Sequence, residues 1–322
     1  MAAIISYQKN QKSFKAGSGG VVFSALPASA PVNLLFDLFP GAGFGYSYRK
    51  LRTLHINPDI KARENANSQD IGFLEDVIDS NALLAFTGSN DGFIPIVYDQ
   101  STNANNLTQT IASEQLQIVD AGALITSNNL AAAQWANRRG GIVASIAFSG
   151  MTDIWFFDVL DVTTTSAPQV LYESSPNYAN NTGAFLIGIE QNAIRVSNRN
   201  SLGEGRNNYD ISTGRQVISI RMRAGVSIAT FSEVYINGVQ IPLASTVGGG
   251  NSVFSNQILY LSRGGRFFGF LGKRQELTFY STDQSSNRVG IETNLINYYF
   301  ADSFLLADSG FLLQQNGDKI IL

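Results

Sequence analysis

Three carboxylates stand where a strand-rich chain could use them for acid–base work. Glu276 lies in a late apolar run, Asp283 follows seven residues on, and Glu190 ends an earlier run. A retaining glycosidase needs two carboxyl groups about 5 Å apart, one as nucleophile and one as acid/base. With 25 Asp and Glu in 322 residues, such candidates are cheap, and a surface or turn role competes for each. His55 is the only histidine, so a Ser-His-Asp triad would have to use it. It sits just before the Asn57-Pro58 turn with no nucleophile elbow nearby, and reads as a loop residue. Asp99, Asn103 and Asn105 offer the oxygen donors that Ca²⁺ takes. Asp99 could equally accept loop backbone N–H groups and hold the loop in shape, which is the favoured role. No other cofactor is implied. Trp135, Trp155, Tyr172 and Tyr178 could stack on sugar rings, with Tyr172 and Tyr178 expected at the surface; burial in a core is the competing fate. Gly248-Gly249-Gly250 lacks the Lys-Ser/Thr of a phosphate loop and reads as a flexible turn.

These residues need a frame to hold them. From Ile142 onward the pattern is a series of short strands: 142–148, 153–160, 169–173, 185–190, 193–197, 216–223, 233–236, 240–243, 257–261 and 269–280. Turns of Gly, Asn, Ser and Asp separate them. Asn237-Gly238 marks the clearest hairpin, since it suits the positive φ angles of a type I′ turn. Earlier, Tyr46 to Leu54 has the spacing of a short helix, and Ile60 to Arg63 alternates like a half-exposed strand. Asp70 to Phe86 is expected to be a helix with acids at Asp70, Glu75 and Asp76 near its start. Phe93 to Tyr98 reads as a strand in which Pro95 marks an edge or a bulge. Ser281 to Tyr299 reads as a closing helix begun by Asp283. The fold class is all-β with a few short helices, arranged as a β-sandwich.

The ends look different. Gln8 to Lys15 is polar and basic, and Ala16 to Gly20 is flexible. Val21 to Phe23 could add one strand to a neighbouring sheet. Leu34-Leu35-Phe36 and Leu38-Phe39 are too apolar for a free tail and should dock, on the body first and otherwise on another protein. Residues 311–322 read as a hairpin around Asn316-Gly317, which would pair with a neighbouring subunit or fold back on its own domain. The division expected is an attachment segment at 1–38, a sandwich at 39–300 and a tail at 301–322. The net charge of −3 hides an asymmetry, because residues 1–63 carry +6. A basic leader on an acidic body suits either an acidic partner or a solvated tail. Cysteine is absent, which excludes disulfides and thiolate metal sites. No signal-peptide pattern and no membrane-length apolar run occur, so no membrane insertion is expected. The basic pairs Arg138-Arg139 and Arg221/Arg223 are isolated, so no nucleic-acid partner is expected.

The stretch from Gly45 to Gln109 carries a resemblance. Its features are Tyr48 and its neighbours, a turn, Lys61 and Arg63 on a basic strand, then Tyr98-Asp99-Gln100 and an asparagine-rich loop ending Leu107-Thr108-Gln109. This arrangement resembles the catalytic domain of family 54 α-L-arabinofuranosidases. It is also similar to domains of bacteriophage virion proteins, where Ser68 to Phe73 and the stretch from Phe268 to Glu292 have counterparts. The resemblance covers roughly Phe39 to Tyr299 and implies a concanavalin-A-like (laminin-G-like) jelly roll. That family's cysteine pair at the sugar pocket has no equivalent, and its catalytic glutamate is not matched to an acid of this chain.

The resemblance implies a non-enzymatic structural protein of a bacteriophage particle: a capsid decoration, head fibre or tail-associated component. It would be made in the host cytoplasm and display a lectin-like domain toward host-surface glycans. Residues 1–40 and 301–322 would contact other virion proteins, and a homo-oligomer, a trimer, is expected. The alternatives are an arabinofuranosidase-like glycoside hydrolase and a free carbohydrate-binding lectin.

Overall fold

The computed structural model describes residues 34–136, 139–143, 146–175, 177–248, 253–262 and 268–300, with the backbone of 305–306 and 312–313. Two compact units are present: Leu34–Tyr299, and residues 1–33 with 300–322. In the second unit, Leu305–Leu306 pairs antiparallel with Leu312–Leu313. The expected strand at 21–23 and the hairpin around Asn316-Gly317 lie outside the described residues.

The body is a two-layer antiparallel β-sandwich. One layer is a ladder running through Leu243–Val247, Gly203–Asp210, Ala193–Asn200, Phe185–Glu190, Gln169–Glu173, Leu259–Leu261, Gly141–Val143, Leu107–Thr108, Gly92–Val97, Ile60–Glu64 and Asn67–Ile71. The other runs through Val239–Gln240, Ser232–Ile236, Gly214–Arg223, Asp153–Val162, Gly272–Tyr280 and Ala42–Ser47. Leu116–Asp120 joins them by pairing with Gly92–Val97 and Ala133–Trp135.

Gly272–Tyr280 is a central strand, flanked by Asp153–Val162 on one side and by Ala42–Ser47 and Ala133–Trp135 on the other. Apolar residues recurring at every second position turn one face inward. Phe44 and Phe279 stack at 5.1 Å, and Phe156 stacks on Tyr172 of the opposite layer at 4.4 Å. Phe148 and Phe185 complete this aromatic core, all of it buried.

The strands expected at 169–173 and 185–190 occur with those bounds, and 153–162, 193–200 and 214–223 are longer than expected. Asn237 and Gly238 both have positive φ, +50° and +83°, and close the Ser232–Ile236/Val239–Gln240 hairpin as expected. Pro95 sits in a bulge, where the register between Ile60–Glu64 and Gly92–Val97 slips.

Several elements correct the sequence expectations. Tyr46 to Leu54 is not helical; Ala42–Ser47 is a strand, and the chain then turns. Tyr46 and Tyr48 both enter the core two residues apart, as strand alternation places them, and the Tyr48, Leu51, Leu54 spacing that suggested a helix falls on the turn that follows. The expected helix from Asp70 is helical only in its second half, and its first half forms short strands. Asn67–Ile71 folds back on Ile60–Glu64, and only Ser80–Thr87 is helical. Its start is set by Asp79, whose carboxylate accepts the Ala82 N–H at 2.9 Å. The closing helix begins at Arg288, not at Asp283. The strand Gly203–Asp210 was not anticipated, because its run of Gly, Arg and Asn hides the alternation.

Leu34 to Phe39 dock on the body through a short helix, Leu35–Leu38. The Phe36 N–H donates to the Leu51 carbonyl at 2.8 Å, and its ring packs edge-on to Tyr280. Gly45 permits this: a Cβ there would meet the Phe36 ring at 2.2 Å. Among the described residues no helix is long and apolar enough to cross a membrane.

Candidate functional site

The carboxylates singled out for chemistry are each held by a separate arginine. Glu276 is buried on the central strand. Arg49 clasps it in two bonds, Nε to Oε2 at 2.7 Å and Nη2 to Oε1 at 3.1 Å. The hydroxyls of Ser47 and Tyr299 each donate to Oε2 at 2.8 Å, so that oxygen is ringed by three donors. Arg49 also donates to Asn294 and lies 4.4 Å over the Tyr298 ring. Burial works to lower the Arg49 pKa, but Glu276 overcomes it and holds the guanidinium charged. Asp283 lies in the turn before the last helix, where it accepts two hydrogen bonds from Ser285 and pairs with Arg221 at 3.2 Å. Partial burial works to raise its carboxyl, yet those Ser285 bonds and Arg221 leave it below its ordinary value. Glu190 pairs with Arg195 at 2.9 Å. The three candidates are not brought together.

A further buried acid, Asp158, was missed. It pairs across the ladder with Leu277, and Glu276 pairs with Val159. Strand alternation therefore sends the two carboxyls out of opposite faces of the sheet. Asp158 accepts from Arg274 Nε at 3.0 Å and from the Tyr172 hydroxyl. Burial raises its carboxyl, while Arg274 and Tyr172 pull it back down. The Arg274 guanidinium lies 4.3 Å over Trp135. The cavity beside it, lined by Tyr46, Tyr48, Trp135 and Arg274, is ≈ 20 Å³. That is room for about one water and far less than a sugar ring.

The aromatic residues proposed for stacking are corrected in the same way. Trp135, Trp155, Tyr172 and Tyr178 are all at most 2% exposed. Trp155 stacks on Phe157 at 5.6 Å, and Tyr172 on Phe156. Their large apolar faces are spent on the core, so none offers a platform to solvent.

His55 is buried beside Phe73, in a ring contact at 5.9 Å. Burial lowers its pKa, and Arg52 and Lys50 add to this. Its Nε2 lies 3.4 Å from the Pro58 carbonyl, and its Nδ1 has no hydrogen-bond partner among the described residues, so it forms no triad there.

The Asp99 loop is where the chain's surface is most constructed. Asp99 Oδ1 accepts the N–H of Gly45 at 2.9 Å and of Ser101 at 2.8 Å. Its Oδ2 accepts the Ser101 hydroxyl at 2.6 Å and the Asn105 N–H at 2.9 Å. Asn103 and Asn105 aim their amide nitrogens at the carbonyls of Ala42 and Gly43. The Asp99 oxygens and the amide nitrogens of Asn103 and Asn105 are thus spent on the loop and the strand it covers, and no group of three or more His, Asp and Glu that could hold a metal occurs among the described residues. Gln100 completes the clamp, accepting the Leu51 N–H and donating to the carbonyls of Ser47 and Arg49.

This loop forms one wall of a surface cleft of ≈ 420 Å³, lined by Arg52, Asn57, Asp70, Tyr98, Ser101 and Asn106 among others. The Tyr98 hydroxyl donates to Asp70 at 2.8 Å. Partial burial and that bond push its pKa up to about 12, so it stays a neutral donor. Beneath the rim, the Asp59 carboxyl is wholly buried with neither oxygen hydrogen-bonded, and burial raises its pKa well above the ordinary range. The cleft was not foreseen. Tyr98 and Asp99 were noticed as a motif, but Arg52, Asn57 and Asp70 come from other elements and carry no shared spacing.

No protein-family model matches the sequence, and no curated protein sequence matches it. Among solved structures, the body is similar to a GH54 α-L-arabinofuranosidase soaked with a cyclic sulfate inhibitor, with a TM-score of 0.58 at 15% identity. It is also similar to an arabinofuranosidase complexed with arabinofuranosyl-α-1,2-xylobiose, with a TM-score of 0.56 at 14% identity. The matches cover 79% and 81% of this chain, and the chain spans 62% and 64% of those proteins' lengths. The likeness is one of fold: the chain is an all-β, jelly-roll-like sandwich.

Proposed function

We propose that this chain is a non-catalytic, saccharide-binding β-sandwich carried by a bacteriophage particle. The observation that carries the binding reading is the ≈ 420 Å³ cleft, with hydroxyl, amide and carboxylate groups converging on the half-exposed ring of Tyr98. A sugar offers hydroxyls to such groups and an apolar face to such a ring. The Asp99 loop supports the reading further, since a wall tied by four hydrogen bonds to one carboxylate is preorganised. The non-catalytic part is supported by the arginines on Glu276 and Asp158, which neutralise the two most buried acids of the central strands on opposite faces. A retaining hydrolase would need two free carboxyls facing one substrate. The virion part rests on the phage-like motifs of residues 68–73 and 268–292. Binding to arrayed glycans by the full chain and by Tyr98→Ala tests the site, beside hydrolysis of 4-nitrophenyl α-L-arabinofuranoside. The expected result is binding that falls at least tenfold (about 1.4 kcal/mol) in the variant, with hydrolysis at the blank rate. Hydrolysis above blank would move the chain to the glycoside hydrolases.

A further inference from the structure

Arg52 is a cation of the cleft wall. It lines the cleft, and among the described residues it joins no ion pair; its Nε is buried without a hydrogen-bond partner. Arg49, Arg195, Arg221, Arg274 and Arg288 each hold a carboxylate, while Arg63 and Arg139 are held by neutral amide and carbonyl oxygens. The acids on the cleft wall are already engaged. Asp70 accepts from Tyr98 and lies 3.7 Å from Lys61, and Asp99 is filled by its loop. Lys50, two residues before Arg52, likewise forms no ion pair among the described residues, and both cations act on His55. Among the described residues, Arg52 is thus the one cation in the cleft lining, beside Asp70, which Lys61 faces, and Asp99, whose oxygens are taken by N–H and O–H donors.

We infer that the cleft selects a saccharide bearing a carboxylate, a uronic or sialic acid, and that Arg52 receives that carboxylate. The inference rests on the reading of the cleft as a saccharide site and adds the class of sugar. A guanidinium is planar, stays charged and offers paired donors that match the two oxygens of a carboxylate. A lysine at the same place would supply charge without that fork. Tyr98 then meets the ring face, and Asn57, Ser101 and Asn106 meet hydroxyls.

The test uses two matched pairs of probes on the full chain: trigalacturonate against its methyl ester, and N-acetylneuraminyl-lactose against lactose. Affinities are measured by titration calorimetry for the wild type, Arg52→Gln and Arg52→Lys. The expected result is that one acid binds at least about tenfold more tightly than its neutral partner, the size of one charge-assisted contact. That preference disappears in Arg52→Gln, returns in part in Arg52→Lys, and weakens as salt rises. Equal affinity for the acid and neutral members, or a preference untouched in Arg52→Gln, overturns the inference and leaves the saccharide site standing. Failure of all four probes to bind the wild type at millimolar concentration removes the site and the inference together.

Discussion

Glu276 shows how burial decides what a residue can do. A carboxylate in the interior is tolerated only with a partner, and Arg49, Ser47 and Tyr299 supply one full shell of donors. Those donors fix its orientation and crowd Oε2, with Arg49 also on Oε1. Asp158 is treated likewise by Arg274 and Tyr172. Such pairs add little net stability over apolar packing, but breaking one strands the other charge. Glu276→Gln should therefore destabilise the fold by about 3–5 kcal/mol, the cost typical of removing one member of a buried pair. Urea unfolding of both proteins measures it. A change under about 1 kcal/mol, with Arg49→Ala equally mild, would mean the pair is solvated and that Glu276 is open to chemistry after all.

At the scale of elements, the stretch that carried the sequence resemblance proves to be one stitched unit. Asp99 and Gln100 hold the strand Ala42–Ser47 and the turn after it by backbone N–H and carbonyl groups, and Asn103 and Asn105 hold the start of that strand. The regular second half of the sandwich was legible because its apolar alternation and Asn-Gly turn are local signals. The first half was legible in part: the strands at Ile60 and Phe93 were expected, whereas the stretches from Tyr46 and Asp70 were expected as helices. The spacing of Tyr48, Leu51 and Leu54 mimics a helical face, and the Asp79 cap outweighs the acids at Asp70, Glu75 and Asp76 that seemed to mark a helix start. The site was harder still, since Arg49 and Glu276 are 227 residues apart and Arg52 meets Tyr98 only through the loop clamp. Asp99→Ala leaves four donors without their acceptor and should cost about 3 kcal/mol, and should abolish saccharide binding as the cleft wall loosens. Added Ca²⁺ should leave the wild-type melting temperature unchanged, because every Asp99 oxygen is occupied by a loop donor. A calcium-dependent rise would restore the loop as a metal site.

For the whole molecule, the charge asymmetry looks different once the body is known to begin at Leu34. Of the eight Lys and Arg in residues 1–63, only Lys9, Lys12 and Lys15 precede Leu34, and no acid accompanies them. Arg49 is consumed inside the body, and Arg52 is assigned to the cleft. The positive leader is therefore a short +3 segment, which still suits an acidic docking partner at modest strength. The boundary also dictates how attachment should be tested. Cutting at residue 40 would pull out Leu35 and Phe36, both buried, and the Phe39 carbonyl that accepts from the Tyr280 hydroxyl at 2.8 Å. Loss of assembly would then report a damaged core. Removing residues 1–33 and 301–322 leaves the Leu34–Tyr299 unit whole. Light scattering of the full chain should give a defined oligomer, with a trimer expected, and the trimmed chain should be a monomer with the same saccharide affinity. If both are monomers, the ends do not assemble the protein, and the virion reading loses its attachment argument while the cleft keeps its own. If both are the same oligomer, assembly belongs to the body, where Leu243–Val247 is exposed along its whole length and, among the described residues, is paired on one side only.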